Sequence, residues 1–392
     1  MLWMFKRSAP LLLGLLLSAA PARADEQVCD QVGENLPAAP AAEVGISAEL
    51  LGNLLQDFDT AGHDIRSLLV LRDCRLVLER YRRDLDRDHH HAIYSVTKSL
   101  TATLVGILQH QGKLGSLDQP IAALVPRPDG MPQASWERAQ QISLRNAMQM
   151  ASGIEYKHDP SGHPIYQLRI DRLMVALRPP ITAKPGTHFQ YSDGDATFTG
   201  AAVAAAAGMP LYDAAKQLLF TPLKMRSHDW LYADMAGRYP GGWGLRLRPM
   251  DMLKLGQLYL QDCVWNGQRL CDSAFLKAAW EPSHASKAYG LHWWRDSRDG
   301  QAYFAGRGFK GQLLLVFPAQ RTVVAMTAVI PPRDINKIEG QVAHTVMEMP
   351  GAYRATLRSG IGPSQARLER LQAAGFNGET RRSVTAQDTP VK

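Results

Sequence analysis

Leu313-Leu314-Leu315-Val316-Phe317-Pro318-Ala319-Gln320-Arg321-Thr322-Val323-Val324-Ala325-Met326-Thr327-Ala328-Val329-Ile330 is the stretch on which the fold class turns. Two apolar, β-branched runs flank a Pro-Ala-Gln turn, which reads as a hairpin. The first run, 313–317, has no polar position, so its strand is expected to be buried on both faces. Far upstream, 67–72 and 75–81 form a second hairpin around Asp73-Cys74, with Leu76 and Leu78 expected on one face. Between the two hairpins the spacing is helical. A long helix over 95–110 carries Val96, Leu100, Leu104, Val105, Ile107 and Leu108 on more than one stripe, which predicts wide burial, and Gly112 ends it. Further helices are read at 201–207, 249–262 and 334–349.

Strands near both chain ends with helices between them predict an α/β (α+β) fold. Its antiparallel sheet is built from both ends, flanked by helices, with an inserted, mainly helical domain. The expected segments are a leader over 1–24, the first part of the sheet domain with the 95–110 helix over 25–110, and the inserted domain over 111–285. The second part of the sheet domain follows over 286–350, then a C-terminal extension over 351–392 whose last dozen or so residues are expected to be disordered.

The composition, 45% hydrophobic and 21% charged over 392 residues, excludes disordered, collagen-like and coiled-coil chains. The net charge is +7, but Lys6, Arg7 and Arg23 supply three of those charges and the rest are interleaved with acids. No basic stripe points to nucleic acid. Lys6 and Arg7, the apolar run 9–20 and Ala22-Arg23-Ala24 spell a secretory signal cut after Ala24. The run is too short to span a bilayer, and no later stretch reaches that length. A periplasmic or secreted protein without a membrane span is expected. In that compartment Cys29, Cys74, Cys263 and Cys271 would be oxidised. Three pairings are possible, and the short Asn-Gly loop between Cys263 and Cys271 favours Cys263–Cys271 with Cys29–Cys74.

Three places carry chemistry. Ser95-Val96-Thr97-Lys98 puts a hydroxyl and an amine one helical turn apart, where the amine can activate the hydroxyl and the helix N-terminus can hold an oxyanion. In Lys184-Pro185-Gly186-Thr187-His188-Phe189-Gln190-Tyr191-Ser192-Asp193, Tyr191 is a candidate proton shuttle. Gly306-Arg307-Gly308-Phe309-Lys310-Gly311-Gln312 spells G-x-G-x-x-G, but a strand follows where a dinucleotide site needs a helix, so nucleotide binding is rejected. His89-His90-His91 lacks acidic or Cys partners at ligand spacing, and no metal is expected. H-E-x-x-H and G-x-S-x-G are absent from the sequence.

The order Ser-x-x-Lys, Tyr-x-Asp, glycine-bearing strand resembles the serine β-lactamase and penicillin-binding-protein superfamily. Within it, the chain is most similar to the branch of class C β-lactamases, family VIII esterases and 6-aminohexanoate-dimer hydrolases. Met150-Ala151-Ser152-Gly153, Lys184-Pro185-Gly186, Gly242-Trp243-Gly244-Leu245 with Asp251-Met252, Tyr289-Gly290-Leu291 and Gly311-Gln312 with Pro318 strengthen that likeness.

The resemblance implies Ser95 as the acylated nucleophile, Lys98 as its base partner and Tyr191 as a second acid/base group. It also implies an oxyanion hole from the N–H groups of Ser95 and Gln312, and no cofactor. The Lys-Thr-Gly triplet of β-lactamases falls on Phe309-Lys310-Gly311, and Asp193 stands where many relatives have Asn. Lys310 cannot stand in for a lysine one place earlier on a strand, and an ionised Asp193 would keep Lys98 protonated and repel anionic substrates. The expected substrate is therefore a small neutral ester or linear amide, contacted by Asp193, Tyr156, Phe309, Lys310, Gly311 and Trp293. A D-Ala-D-Ala carboxypeptidase or class C-like β-lactamase is the enzymatic alternative. A cell-wall peptide-binding protein is the non-enzymatic one.

Overall fold

The computed structural model describes residues 29, 32–159, 162–226, 228–298, 300–348 and 362–376. The expected leader and the extreme C-terminus lie outside the described residues. The main sheet has six antiparallel strands: β1 (Asp64–Arg72), β2 (Arg75–Tyr81), β3 (Trp294–Arg298), β4 (Gln301–Gly308), β5 (Gln312–Phe317) and β6 (Thr322–Val329), in the order β2-β1-β6-β5-β4-β3. The two chain ends meet where β1 pairs with β6, Asp64 opposite Val329 through Arg72 opposite Thr322.

Every residue of β5 is buried, for the reason its composition suggests. Leu314 and Val316 enter one core, while Leu313, Leu315 and Phe317 enter the other. The first core lies under α2 (Val96–His110), α3 (Asp193–Ala207), α4 (Pro249–Leu260) and the short helices of the 113–290 region. The second is closed by α1 (Ala48–Ala61), α5 (Pro332–Met347) and α6 (Pro363–Ala374). The extension expected after 350 thus contributes a packed helix. It is tied down by Arg80, nearly fully buried, which pairs with Asp59 and lies 4.1 Å from the centre of the Phe376 ring.

One detail of the first hairpin departs from expectation. Asp73 and Cys74 form its turn, both at positive φ (49° and 63°). However, Val70 pairs with Leu78 and Leu71 with Leu76, so Val77 is an extra residue in β2. That bulge puts Leu76 and Leu78 on opposite cores, because one inserted residue inverts the alternation. The disulfides join Cys29 to Cys74 and Cys263 to Cys271. The first pins the N-terminal segment to the β1–β2 turn. Among the described residues no helix is long and apolar enough to cross a membrane.

Candidate active site

Tyr94, at φ 45°, turns the chain out of Ile93 and into α2, so Ser95 stands at the helix N-cap. Its hydroxyl caps nothing and is left to accept a hydrogen bond from Lys98 Nζ at 3.0 Å. Lys98 is 1% exposed and donates twice more, to Asp193 Oδ1 at 2.6 Å and to the Gly242 carbonyl at 3.1 Å. Three acceptors around one nitrogen match an ammonium, which has three N–H donors and no lone pair. Burial disfavours that charge, but Asp193, followed by Tyr191, outweighs it and raises the Lys98 pKa. Burial likewise disfavours the Asp193 carboxylate, and Lys98 with the Tyr166 hydroxyl outweighs it and lowers the pKa. Asp193 is also the first residue of α3, where the helix dipole favours an anion. The pair is ionic.

Tyr191 faces the same ammonium, its ring centre 4.8 Å from Nζ, and stacks at 5.6 Å on Trp294. On the far side of Asp193, Tyr166 donates to Oδ2 at 2.5 Å and shares a hydrogen bond of 3.1 Å with the Tyr156 hydroxyl. Tyr156 therefore reaches the site only through Tyr166. Gly242 closes the cluster. A Cβ there would sit 2.9 Å from both Lys98 Nζ and Asp193 Oδ1, so any side chain would prise the ion pair apart.

The glycine-rich segment is arranged differently from the resemblance. Gly306 of β4 is pressed against α2, and Gly308 against the segment that leads into it. A Cβ on Gly306 would meet Val96 and Ser99 at 3.2 Å, and one on Gly308 would meet the Ile93 carbonyl at 2.4 Å. Gly311 packs instead on Ile330 and Ala328, and Lys310 occupies the β4–β5 turn at φ 64°. The triplet beside Ser95 is thus Phe304-Ala305-Gly306, not Phe309-Lys310-Gly311. Its helix-facing first member, Phe304, stacks on Trp280 at 4.0 Å.

Gln312 is the second correction. It begins β5, an interior strand between β4 and β6, and its carboxamide is spent on Ala328 and the Phe309 carbonyl. The exposed edge beside Ser95 belongs to β4, whose pairing with β3 stops at Trp294 opposite Ala305. Arg295 N–H donates to Ala288, away from β4, so Trp294 and Asp296 are the β3 residues whose backbones face it. By alternation Tyr303, Ala305 and then Arg307 direct their N–H groups to that edge, and at Arg307 no β3 partner remains.

Trp293 is the third correction: fully buried against Tyr259, it belongs to the core. Its neighbour Trp294, half-buried, packs its ring on Tyr191, Tyr289 and Phe189. Phe309 is 50% exposed and rests edgewise on Tyr94, at the rim. Sequence reasoning missed Tyr166 and the roles of Gly242 and Arg307, and of the Trp293-Trp294 pair it chose Trp293. Gly242 and Arg307 both stood in quoted motifs.

Asp195, one turn into α3, supplies a pH-dependent element. Burial pushes its carboxyl up to about 7, against hydrogen bonds from the Ser152 hydroxyl and N–H. A carboxyl raised on folding contributes its stability below its unfolded pKa and loses it as pH rises through the folded value. Asp195→Asn is expected to gain in urea midpoint on wild type as pH rises from roughly 4 to roughly 7. A constant difference across that range would refute the assignment.

Residues 63–339 match the family model described as Beta-lactamase. The chain belongs to the β-lactamase family. A 6-aminohexanoate-dimer hydrolase of Paenarthrobacter ureafaciens is 24% identical over 382 residues, covering 90% of this chain and 91% of the relative. A Bacillus anthracis protein assigned as a 6-aminohexanoate-dimer hydrolase superposes with a TM-score of 0.66 at 19% identity, over 81% of this chain and 89% of the other. EstCE1, a hydrolase with promiscuous acyltransferase activity, gives 0.60 at 16% identity, over 76% and 99%. A fold common to β-lactamases, esterases and amide hydrolases leaves the substrate to the site's own residues.

Proposed function

We propose that this β-lactamase-family chain is an exported serine hydrolase that cleaves small neutral esters or linear amides through an acyl-enzyme on Ser95. The observation that carries this reading is the Lys98 ammonium, held between Asp193 and the Ser95 hydroxyl. So held, Lys98 is a poor proton acceptor, and the base role passes to Tyr191, whose ring centre lies 4.8 Å from the Lys98 Nζ. Tyr191 takes the Ser95 proton as Oγ bonds to the carbonyl carbon. The resulting oxyanion lies between the N–H groups of Ser95 and Arg307. Tyr191 then returns the proton to the departing alkoxide or amine, and a water repeats the cycle to release the acid. The two disulfides suit an oxidising compartment, which supports export.

Substrate class follows from charge. The place beside Gly306 where a carboxylate-binding lysine would stand holds Phe304, and Asp193 cancels the Lys98 charge that would otherwise attract an anionic substrate. Short-chain nitrophenyl esters and aminohexanoate dimer are expected to turn over faster than nitrocefin or D-Ala-D-Ala peptides. A cephalosporin hydrolysed faster than short esters would overturn this ranking. Failure of a fluorophosphonate to label the wild-type protein would favour a binding protein instead.

A further inference from the structure

The Arg307 side chain runs to the opposite face of the sheet from its neighbour glycines, and there it is clamped. Glu339 of α5, only 2% exposed, accepts from Arg307 Nε at 2.7 Å and from Nη2 at 2.5 Å. Asp296 of β3 accepts a further bond from Nη2 at 3.0 Å. The guanidinium also lies 5.3 Å from the centre of the Trp294 ring, and Trp294 stacks on Tyr191. One buried carboxylate on a terminal helix thus holds a guanidinium that is tied to both halves of the proposed machinery. Its own peptide reaches the open edge of β4, and its side chain backs the indole on which Tyr191 rests.

We propose that Glu339 is a positioning residue, which sets the Arg307 peptide and, through Trp294, the Tyr191 ring for acyl transfer. The proposal rests on the hydrolase reading and deepens it. Two features make the clamp more than a structural ion pair. Bidentate guanidinium–carboxylate geometry fixes direction as well as distance, which a point-charge pair does not. The peptide it fixes is also, by alternation, the one whose N–H is directed to the open β4 edge just past the last β3 pair. Near an oxyanion, misplacement of a donor by about 1 Å costs up to about a hundredfold in rate.

The test compares acylation of Ser95 by a nitrophenyl ester, per active site titrated with fluorophosphonate, in wild type, Glu339→Gln and Tyr303→Phe. The Tyr303 hydroxyl also donates to Glu339, at 3.0 Å, so its removal perturbs the same buried carboxylate while leaving the guanidinium clamp intact. Glu339→Gln is expected to slow acylation about tenfold with KM changed less than about twofold, and Tyr303→Phe to stay within about twofold on both. Equal losses in the two variants, or an unchanged acylation rate in Glu339→Gln, would overturn the proposal. Should Glu339→Gln not fold, Arg307→Lys keeps the backbone N–H, loses the bidentate contact, and must show the same split between rate and KM. An unlabelled wild-type protein would sink the hydrolase reading and this proposal together, whereas a labelled wild type with unaltered variants would sink this proposal alone.

Discussion

Ser95→Ala is expected to lose all fluorophosphonate labelling and about four orders of magnitude or more in ester turnover, while staying folded. The size follows from deleting the proposed acyl acceptor, since nucleophile removal leaves only the catalysis due to binding and oxyanion stabilisation. Folding is expected to survive because the hydroxyl is not used as a helix cap. Among the described residues the hydroxyl pairs with Lys98, which keeps Asp193 and Gly242 as acceptors. Intact-mass spectrometry after labelling, with a urea melt alongside, reads both halves of the prediction. Labelling of the variant at full stoichiometry would place the nucleophile elsewhere.

Lys98→Ala is expected to fail differently, losing both activity and stability. With the amine gone, the Asp193 carboxylate is left 5% exposed without its counter-charge, and breaking a buried pair on one side costs about 3–5 kcal/mol. The loss has a definite pH dependence. In wild type Lys98 helps hold the Asp193 pKa down, but once it is removed burial dominates and raises it. A raised carboxyl contributes its stability at low pH and loses it as pH rises, so the variant should be least impaired in acid. Adding Asp193→Asn removes the stranded charge and is expected to recover most of the stability and none of the turnover. Urea midpoints of the two single variants and the double variant across pH measure this coupling. A double variant no more stable than Lys98→Ala would show that the charge pair is not what the amine maintains.

The two glycines of β4 illustrate how far a linear reading reaches. Glycine in a strand signals close approach of another segment, and Gly306 and Gly308 are where it occurs. Which glycine touches α2 depends on where β4 ends and β5 begins, and the turn at Phe309–Gly311 lies later than the resemblance placed it. The same two-residue periodicity decides between Trp293 and Trp294. Neighbours on an extended chain face opposite ways, and only the position of β3 at the sheet edge brings the second one onto Tyr191.

Tyr166 had no local signal. It lies on a short 3-10 turn in a loop far from Asp193 in sequence, and no spacing rule connects them.

What the amino-acid order determined unaided was whatever repeats at short range. The apolar hairpin at 313–330 required a strand buried on two faces, and the helix after Ser95 required Lys98 on the same side one turn later. Those features depend on 2-residue and 3.6-residue periods, which the chain carries wherever it is placed. Tertiary structure alone decided that Tyr166 meets Asp193 on the side away from Lys98, that the β4 edge lies open at Arg307, and that Glu339 reaches it from a distant helix. Each depends on which strand is left at an edge and which buried groups meet across the fold, and electrostatics between such groups is set by distance in space rather than along the chain.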